Sequence, residues 1–195
     1  MKRLFTTLLL GLLYVAALFA QSGNAYFNIG AVSTKMTQPD FPELKSNYGL
    51  NLNVGQIFPI IGQSSCIGLD VTWFDFAYTN YKVKHITSES TDQFQYAQYD
   101  LAVQIGPCLS IVVGDWMRLH GYFRYAPTYS ILAKPEDKFG NYATAFVTGG
   151  SLTFGAIGLG AEYRFGGCYY KRFGNHTAEF KTEFTGFRAY LAFRF

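Results

Sequence analysis

The sequence predicts an all-β chain, a transmembrane antiparallel up-and-down β-barrel of eight strands. Apolar residues are abundant yet interleaved. Hydrophobic residues make up 49% and charged residues only 15%, with 19 Phe, 15 Tyr and 20 Gly. Beyond residue 20, however, no apolar run approaches the ~20 residues a membrane helix needs. Segment after segment instead alternates apolar with polar or small residues at a period of two, the strand period. Transmembrane barrels alternate in this way because lipid-facing and lumen-facing side chains take turns. Length fixes the strand number. About 170 residues after a leader hold eight strands of about ten residues and seven connections, and an even number returns both ends to one side. A soluble β-sandwich with an inward apolar face is the competing fold. Repetition of the pattern with aromatics at strand ends favours the barrel.

The amino terminus reads as a leader. Met1-Lys2-Arg3 supplies two cations, and Leu4 to Ala20 (LFTTLLLGLLYVAALFA) carries no charge. These are the n- and h-regions of a signal peptide. The run is slightly short for a span, and no basic cluster follows it. Residues 1–20 are therefore expected to be cleaved, with Ala25 as the latest cleavage site, leaving 21–195 as the barrel domain. No cysteine lies close enough to suggest a lipid anchor.

The strands follow in order. Phe27, Ile29 and Ala31 alternate with Asn28, Gly30 and Val32, and Leu50, Leu52 and Val54 with Asn51, Asn53 and Gly55. Ile67, Leu69, Val71 and Trp73 alternate with Gly68, Asp70, Thr72 and Phe74, and Tyr99, Leu101, Val103 and Ile105 with Asp100, Ala102, Gln104 and Gly106. The clearest strand runs from Met117 to Ile131, with Leu119, Phe123, Tyr125 and Tyr129 on one parity and Arg118, His120, Tyr122, Arg124 and Thr128 on the other. Ile157, Leu159, Ala161 and Tyr163 alternate with Gly158, Gly160, Glu162 and Arg164; Leu152 and Phe154 fall on the opposite parity, which a bulge near Gly155 would reconcile. The seventh strand is the least defined, placed at Cys168 to Gly174 with an extension toward Lys181. Long polar loops are expected at Lys35 to Asn47, Thr79 to Gln93 and Ala133 to Gly150. Shorter connections are expected at Phe58 to Ser65, Pro107 to Trp116 and Gly166-Gly167.

The eighth strand ends the chain. Phe187, Ala189, Leu191, Phe193 and Phe195 alternate with Arg188, Tyr190, Ala192 and Arg194. This resembles the C-terminal strand of Gram-negative outer-membrane β-barrels, in which a terminal aromatic preceded by alternating apolar residues is the assembly signal. The whole chain after the leader is similar in pattern to the small eight-stranded members of that group. The resemblance implies an outer-membrane location and lipid as surroundings. It also implies recognition by the barrel-assembly machinery through Phe187, Leu191, Phe193 and Phe195. Short turns would face the periplasm.

With this facing, the lumen receives Asp70, Asp100, Arg118, His120, Arg124, Glu162, Arg164, Arg188 and Arg194. An eight-stranded barrel is just wide enough for side chains to fill it, and buried ions must be paired. A polar plug is expected, with Arg124 and Arg188 answered by Asp70, Asp100 and Glu162; an ion path or a catalytic site is the alternative. Outer-membrane barrel enzymes place a His beside Ser or carboxylates at the outer rim. Here His85 lies in a flexible loop segment with Thr87, Ser88 and Glu89, His120 lies low on its strand, and His176 lies in the last loop. No catalytic, metal or cofactor motif is recognised, so no catalytic residue and no cofactor is expected. The net charge of +3 is too weak to suggest nucleic acid. The expected role is that of a non-enzymatic outer-membrane protein, structural or surface-interacting. A narrow porin-like channel is the alternative and an envelope-lipid-modifying enzyme the third. Aromatics flanking the outer loops (Phe41, Tyr48, Tyr78, Tyr81, Phe139, Tyr142) read as an interfacial girdle, with Phe41 and Phe139 the least easily explained that way. Cys66 and Cys108 are expected as neighbours at the periplasmic rim, where a disulfide is an option beside free thiols. Cys168 is placed at the same rim, unpaired.

Overall fold

The computed structural model describes residues 24–38, 41–62, 65–86, 91–114, 116–134, 137–173 and 180–195. The expected leader, Thr87 to Ser90 and His176 lie outside them. Among the described residues eight strands form: β1 (Ala25–Gln38), β2 (Phe41–Ile61), β3 (Cys66–Ile86), β4 (Thr91–Val113), β5 (Met117–Ala133), β6 (Lys138–Phe154), β7 (Ile157–Arg172) and β8 (Phe180–Arg194). Each pairs antiparallel with its sequence neighbour. The ring closes where β8 meets β1, in a register running from Tyr26↔Arg194 to Thr37↔Glu183.

Polarity is arranged inside out. Leu101 is 50% exposed and Leu159 67%, whereas Arg124, Arg188, Asp70 and Glu162 are each 1% exposed. Such a surface is stable only against hydrocarbon, and closure satisfies the backbone groups that an open edge would leave unpaired there. Aromatics knit the exterior. Phe123 and Phe165 each stack on Phe146, at 5.8 Å, and the Tyr125 and Tyr142 hydroxyls are 2.6 Å apart.

The two ends differ. At one end β2–β3, β4–β5 and β6–β7 are joined tightly, and each connection holds a glycine in the left-handed region: Gly62 (φ 84°), Gly114 (φ 61°) and Gly155 (φ 60°). A side chain is strained at such angles, so glycine lets the chain reverse within a few residues. Both described termini lie at this turn end. The opposite, loop end carries the β1–β2, β3–β4, β5–β6 and β7–β8 connections.

Several boundaries differ from the sequence reading. The three segments expected as long loops are largely strand, because β1 runs to Gln38, β2 starts at Phe41, β3 runs to Ile86 and β4 starts at Thr91. A 21-residue strand is about 70 Å long, and tilted by ~45° it rises roughly 50 Å, against ~30 Å of hydrocarbon. The polar stretches are strand that overshoots the membrane. The expected connection Pro107 to Trp116 is also mostly β4, with Pro107 paired to Leu69.

The sixth and seventh strands are reassigned. Lys138–Phe154 is β6, and the two segments expected as separate strands are one, β7, which passes unbroken through Gly166-Gly167. Instead of a bulge at Gly155 there is a turn, with Phe154 paired to Ile157. The β6 pattern was misleading because small apolar residues point inward (Ala143, Ala145 and Val147, each 0% exposed) while Thr144 and Thr148 alternate with them on the outside. Bulky charged side chains from other strands fill the lumen, so β6 contributes small ones.

β3 carries an unexpected β-bulge. Thr72 pairs with Gln104 and Asp75 with Ala102, so one extra residue sits in the Trp73-Phe74 stretch. Both aromatics are on the exterior, 46% and 37% exposed. The inserted residue exchanges the faces of everything after it. Phe74, expected inward, is outside, and Asp75 turns inward.

Candidate functional site

The lumen is the chemical centre of the molecule. In its middle, Arg188 on β8 reaches across to β3, with Nη1 2.9 Å from Asp75 Oδ1 and 3.0 Å from Oδ2. The same nitrogen donates to Glu162 Oε1 on β7 at 2.9 Å. Glu162 also accepts from Arg124 Nη2 at 2.9 Å and from the Tyr122 hydroxyl at 2.8 Å. Gln104 Nε2 donates to Asp75 Oδ2 at 2.7 Å. Carboxylate and guanidinium groups thus alternate across the barrel, each buried charge answered by others, as burial demands.

Arg124 continues the network toward the turn end. Its Nη1 donates to Thr72 Oγ1 and, at 3.0 Å, to the Tyr26 hydroxyl, and lies 3.5 Å from Asp70 Oδ1. Its guanidinium lies over the Tyr122 ring at 3.6 Å. Asp70 Oδ2 is 2.9 Å from His120 Nε2, and His120 Nδ1 is 2.8 Å from Ser110 Oγ. This Ser–His–carboxylate chain is the hydrogen-bond order of a nucleophilic triad. Its serine and histidine are each 2% exposed and its aspartate 1%.

A second cluster lies toward the loop end. Arg164 donates to Asp100 Oδ2 at 2.6 Å and to Thr128 Oγ1 at 2.8 Å. Gln98 and Ser130 also bond Asp100, and Tyr170 and Tyr81 close the layer. Between the clusters, a cavity bordered by Asp100, Arg164 and Arg188 holds about 10 Å³, about one water.

The predicted lumen residues therefore come together, with corrections. Asp100 pairs with Arg164 rather than with Arg124 or Arg188, because it sits too near the loop end. Strict alternation does not point to Asp75, because the bulge turns it inward, and Ser110 belongs to β4 rather than to the expected connection Pro107 to Trp116. Arg118 makes no ion pair among the described residues and is half-buried at the turn end. Arg194 donates to Ser151 Oγ at 3.0 Å and lies 4.7 Å from the Tyr26 ring centroid, outside the ion-paired clusters. His85 pairs through its backbone with Asp92, far from His120.

Two aromatic assignments change. Phe139, 4% exposed, points into the barrel against Phe180, and Tyr81 is buried; Tyr48 and Tyr142 stay outside, as girdle residues should. All three cysteines are free. Cys66 lies opposite Ser110 and Cys108 opposite Gly68, so the two are offset diagonally. Diagonal positions are ~7–8 Å apart, beyond the usual disulfide span of about 4.4–6.8 Å. Cys168 lies in the loop-end half of β7, opposite Ala143 and Thr182, not at the turn-end rim.

No protein-family model and no curated protein matches the chain significantly. Solved structures do. Neisserial surface protein A is 14% identical over 88% of this chain and 97% of its own, with a TM-score of 0.53. Ail, the attachment invasion locus protein of Yersinia pestis, is 14% identical over 89% and 99%, with a TM-score of 0.48. The outer membrane protease OmpT from Escherichia coli is 10% identical over 88% and 97%, with a TM-score of 0.49. At such identities the likeness to the first concerns the fold, and the fold is that of the small outer-membrane β-barrels.

Proposed function

We propose that this chain is a non-enzymatic integral protein of a Gram-negative outer membrane, with a structural or surface-interaction role and a lumen sealed by ion pairs. The observation that carries this reading is the bridge from Arg188 to Asp75 and Glu162, which spans the barrel between β8, β3 and β7. With Arg124 joining Glu162 to Asp70, the mid-lumen is crossed by charges that hold one another in place. Moving an ion past them would require breaking buried pairs and leaving uncompensated buried charges, which is strongly unfavourable. The Ser110–His120–Asp70 chain is read as part of the plug, because its serine is packed rather than presented to a cleft. Phe187, Leu191 and Phe195, 52%, 46% and 46% exposed, together with Phe193 form the β8 face offered to lipid and to the barrel-assembly machinery. Surface partners would meet the loop end.

Single-channel recording of the refolded protein tests this, run beside heat-modifiable gel mobility. A barrel that shifts on heating yet gives no stable, porin-sized steps is the expected result. Reproducible large steps would replace this reading with the channel.

A further inference from the structure

The turn-end mouth of the barrel holds a cavity of about 230 Å³, lined among others by Arg118, Arg194, Thr153, Trp116, Met117 and Phe195. Both cations reach it from lumen-facing positions, Arg118 on β5 and Arg194 on β8. Neither makes an ion pair among the described residues, in contrast to Arg124, Arg164 and Arg188 deeper in the lumen. Arg194 is 8% exposed, and its Nη2 is held by Ser151. Its Nε and Nη1 are buried and without a hydrogen-bond partner. Two guanidinium groups that line one cavity and make no ion pair among the described residues form an electrostatic demand for an anion.

We propose that this mouth is a binding site for a phosphate-type oxyanion, received by Arg118 and Arg194. Guanidinium forks match the planar spacing of phosphate oxygens and bind them bidentately. The volume, several times the ~30 Å³ of one water, accommodates such a group. The rim is apolar. Trp116 is 61% exposed and stacks on Phe154 at 5.5 Å, and Phe195 lies beside them. The anion can therefore arrive free in solution or as the headgroup of a lipid whose chains lie along these aromatics. Asp115, between Gly114 and Trp116, lies outside the described residues and enters the test.

The experiment uses the refolded full barrel in uncharged detergent micelles. Trp116 fluorescence is followed against inorganic phosphate, with chloride at matched ionic strength as control, and against short-chain phosphatidic acid doped into the micelle. A Trp116→Phe variant identifies the signal over Trp73. A saturable response to phosphate is expected, its midpoint raised about tenfold or more in Arg118→Gln, the equivalent of one lost charge-assisted hydrogen bond. Arg118 is half-buried and makes no ion pair among the described residues, so this variant is expected to keep the fold, which gel mobility verifies. A response to phosphatidic acid alone, also weakened in Arg118→Gln, assigns the site to a lipid headgroup. No response to either probe overturns the proposal, as does an Arg118→Gln response equal to that of the parent protein. Binding that emerges only in Asp115→Asn also overturns it, since the arginines would then be internally neutralised.

Discussion

Arg188 and Asp75 stand 113 positions apart in sequence and face each other across the lumen in a two-oxygen contact at 2.9 and 3.0 Å. Each is 1% exposed. The contact exists because one extra residue in β3 turns Asp75 inward. A local irregularity of the backbone thus decides which carboxylate answers the central arginine.

Removing that carboxylate strands a buried cation. Asp75→Asn is expected to destabilise the barrel by about 3–5 kcal/mol, the usual cost of breaking a buried pair from one side. Arg188 keeps Glu162, so the loss should fall toward the lower end. Urea unfolding in micelles measures it. The double variant Asp75→Asn, Arg188→Gln should be less destabilised than the sum of the two single changes, since the partners act as a unit. Strict additivity would show that the two do not interact.

The bulge itself predicts a facing pattern that no strict alternation produces. Nitroxide labels at residues 73 and 74 should both be broadened by a lipid-soluble relaxation agent, while labels at 72 and 75 should not. An alternating result would remove the bulge and, with it, the Asp75 contact.

How far the sequence could be read followed from how large the alternating side chains are. Met117 to Ile131 and Phe187 to Phe195 are plain because big apolar residues alternate with arginines and tyrosines. β6 was opaque because a lumen crowded by Arg124 and Arg188 leaves room only for Ala143, Ala145 and Val147 on its inner face. The bulge was hidden because Trp73 and Phe74 are both apolar, so neither order of facing looks wrong. Much of the lumen network is legible residue by residue, including Asp70, Asp100, Arg124, Glu162, Arg164 and Arg188, but not Asp75 or Ser110. Its pairing is not legible, because partners such as Arg164 and Asp100 come from strands that the register alone brings to one height.

Lipid facing has a direct energetic readout. Leu101 is 50% exposed to the hydrocarbon side, and Ala102 is 4% exposed. Leu101→Arg is expected to cost on the order of 2–4 kcal/mol at mid-depth. Ala102→Arg should fail for another reason, because it forces a second large cation beside Asp75, which Arg188 already holds, in a filled lumen. Its folding yield should fall at any lipid thickness, whereas the Leu101→Arg penalty should ease in thinner bilayers. Parallel thickness dependence for the two would reverse the assigned faces.

Among glycines, the contrast of Gly106 and Gly121 separates close approach from mere flexibility. A methyl group at Gly106 would collide with the Phe123 carbonyl oxygen on β5, whereas at Gly121 the nearest atom, Gly149 O, is 3.9 Å away. Gly106→Ala should force the β4–β5 ladder apart and lower thermal stability. Gly121→Ala should be close to neutral. Heat-modifiable mobility measured across a temperature series compares them, and equal stability would mean that the two strands are more widely spaced at Gly106.

The cysteines give the sharpest test of register. Cys66 and Ser110 are directly paired across β3 and β4, while Cys66 and Cys108 are two positions out of step. Directly opposed residues have Cα atoms about 4.5–5.5 Å apart, inside the range for a disulfide, and diagonal ones do not. The parent protein, oxidised mildly after refolding, should retain three titratable thiols. Ser110→Cys should form a bond with Cys66 under the same conditions, read by peptide mapping without reductant. Removing the Ser110 hydroxyl leaves His120 its bond to Asp70, so the barrel has reason to survive the change. A Cys66–Cys108 bond in the parent protein would shift the β3–β4 register by two residues. It would also displace Asp70 from His120 and Arg124, and the turn-end half of the plug would have to be redrawn.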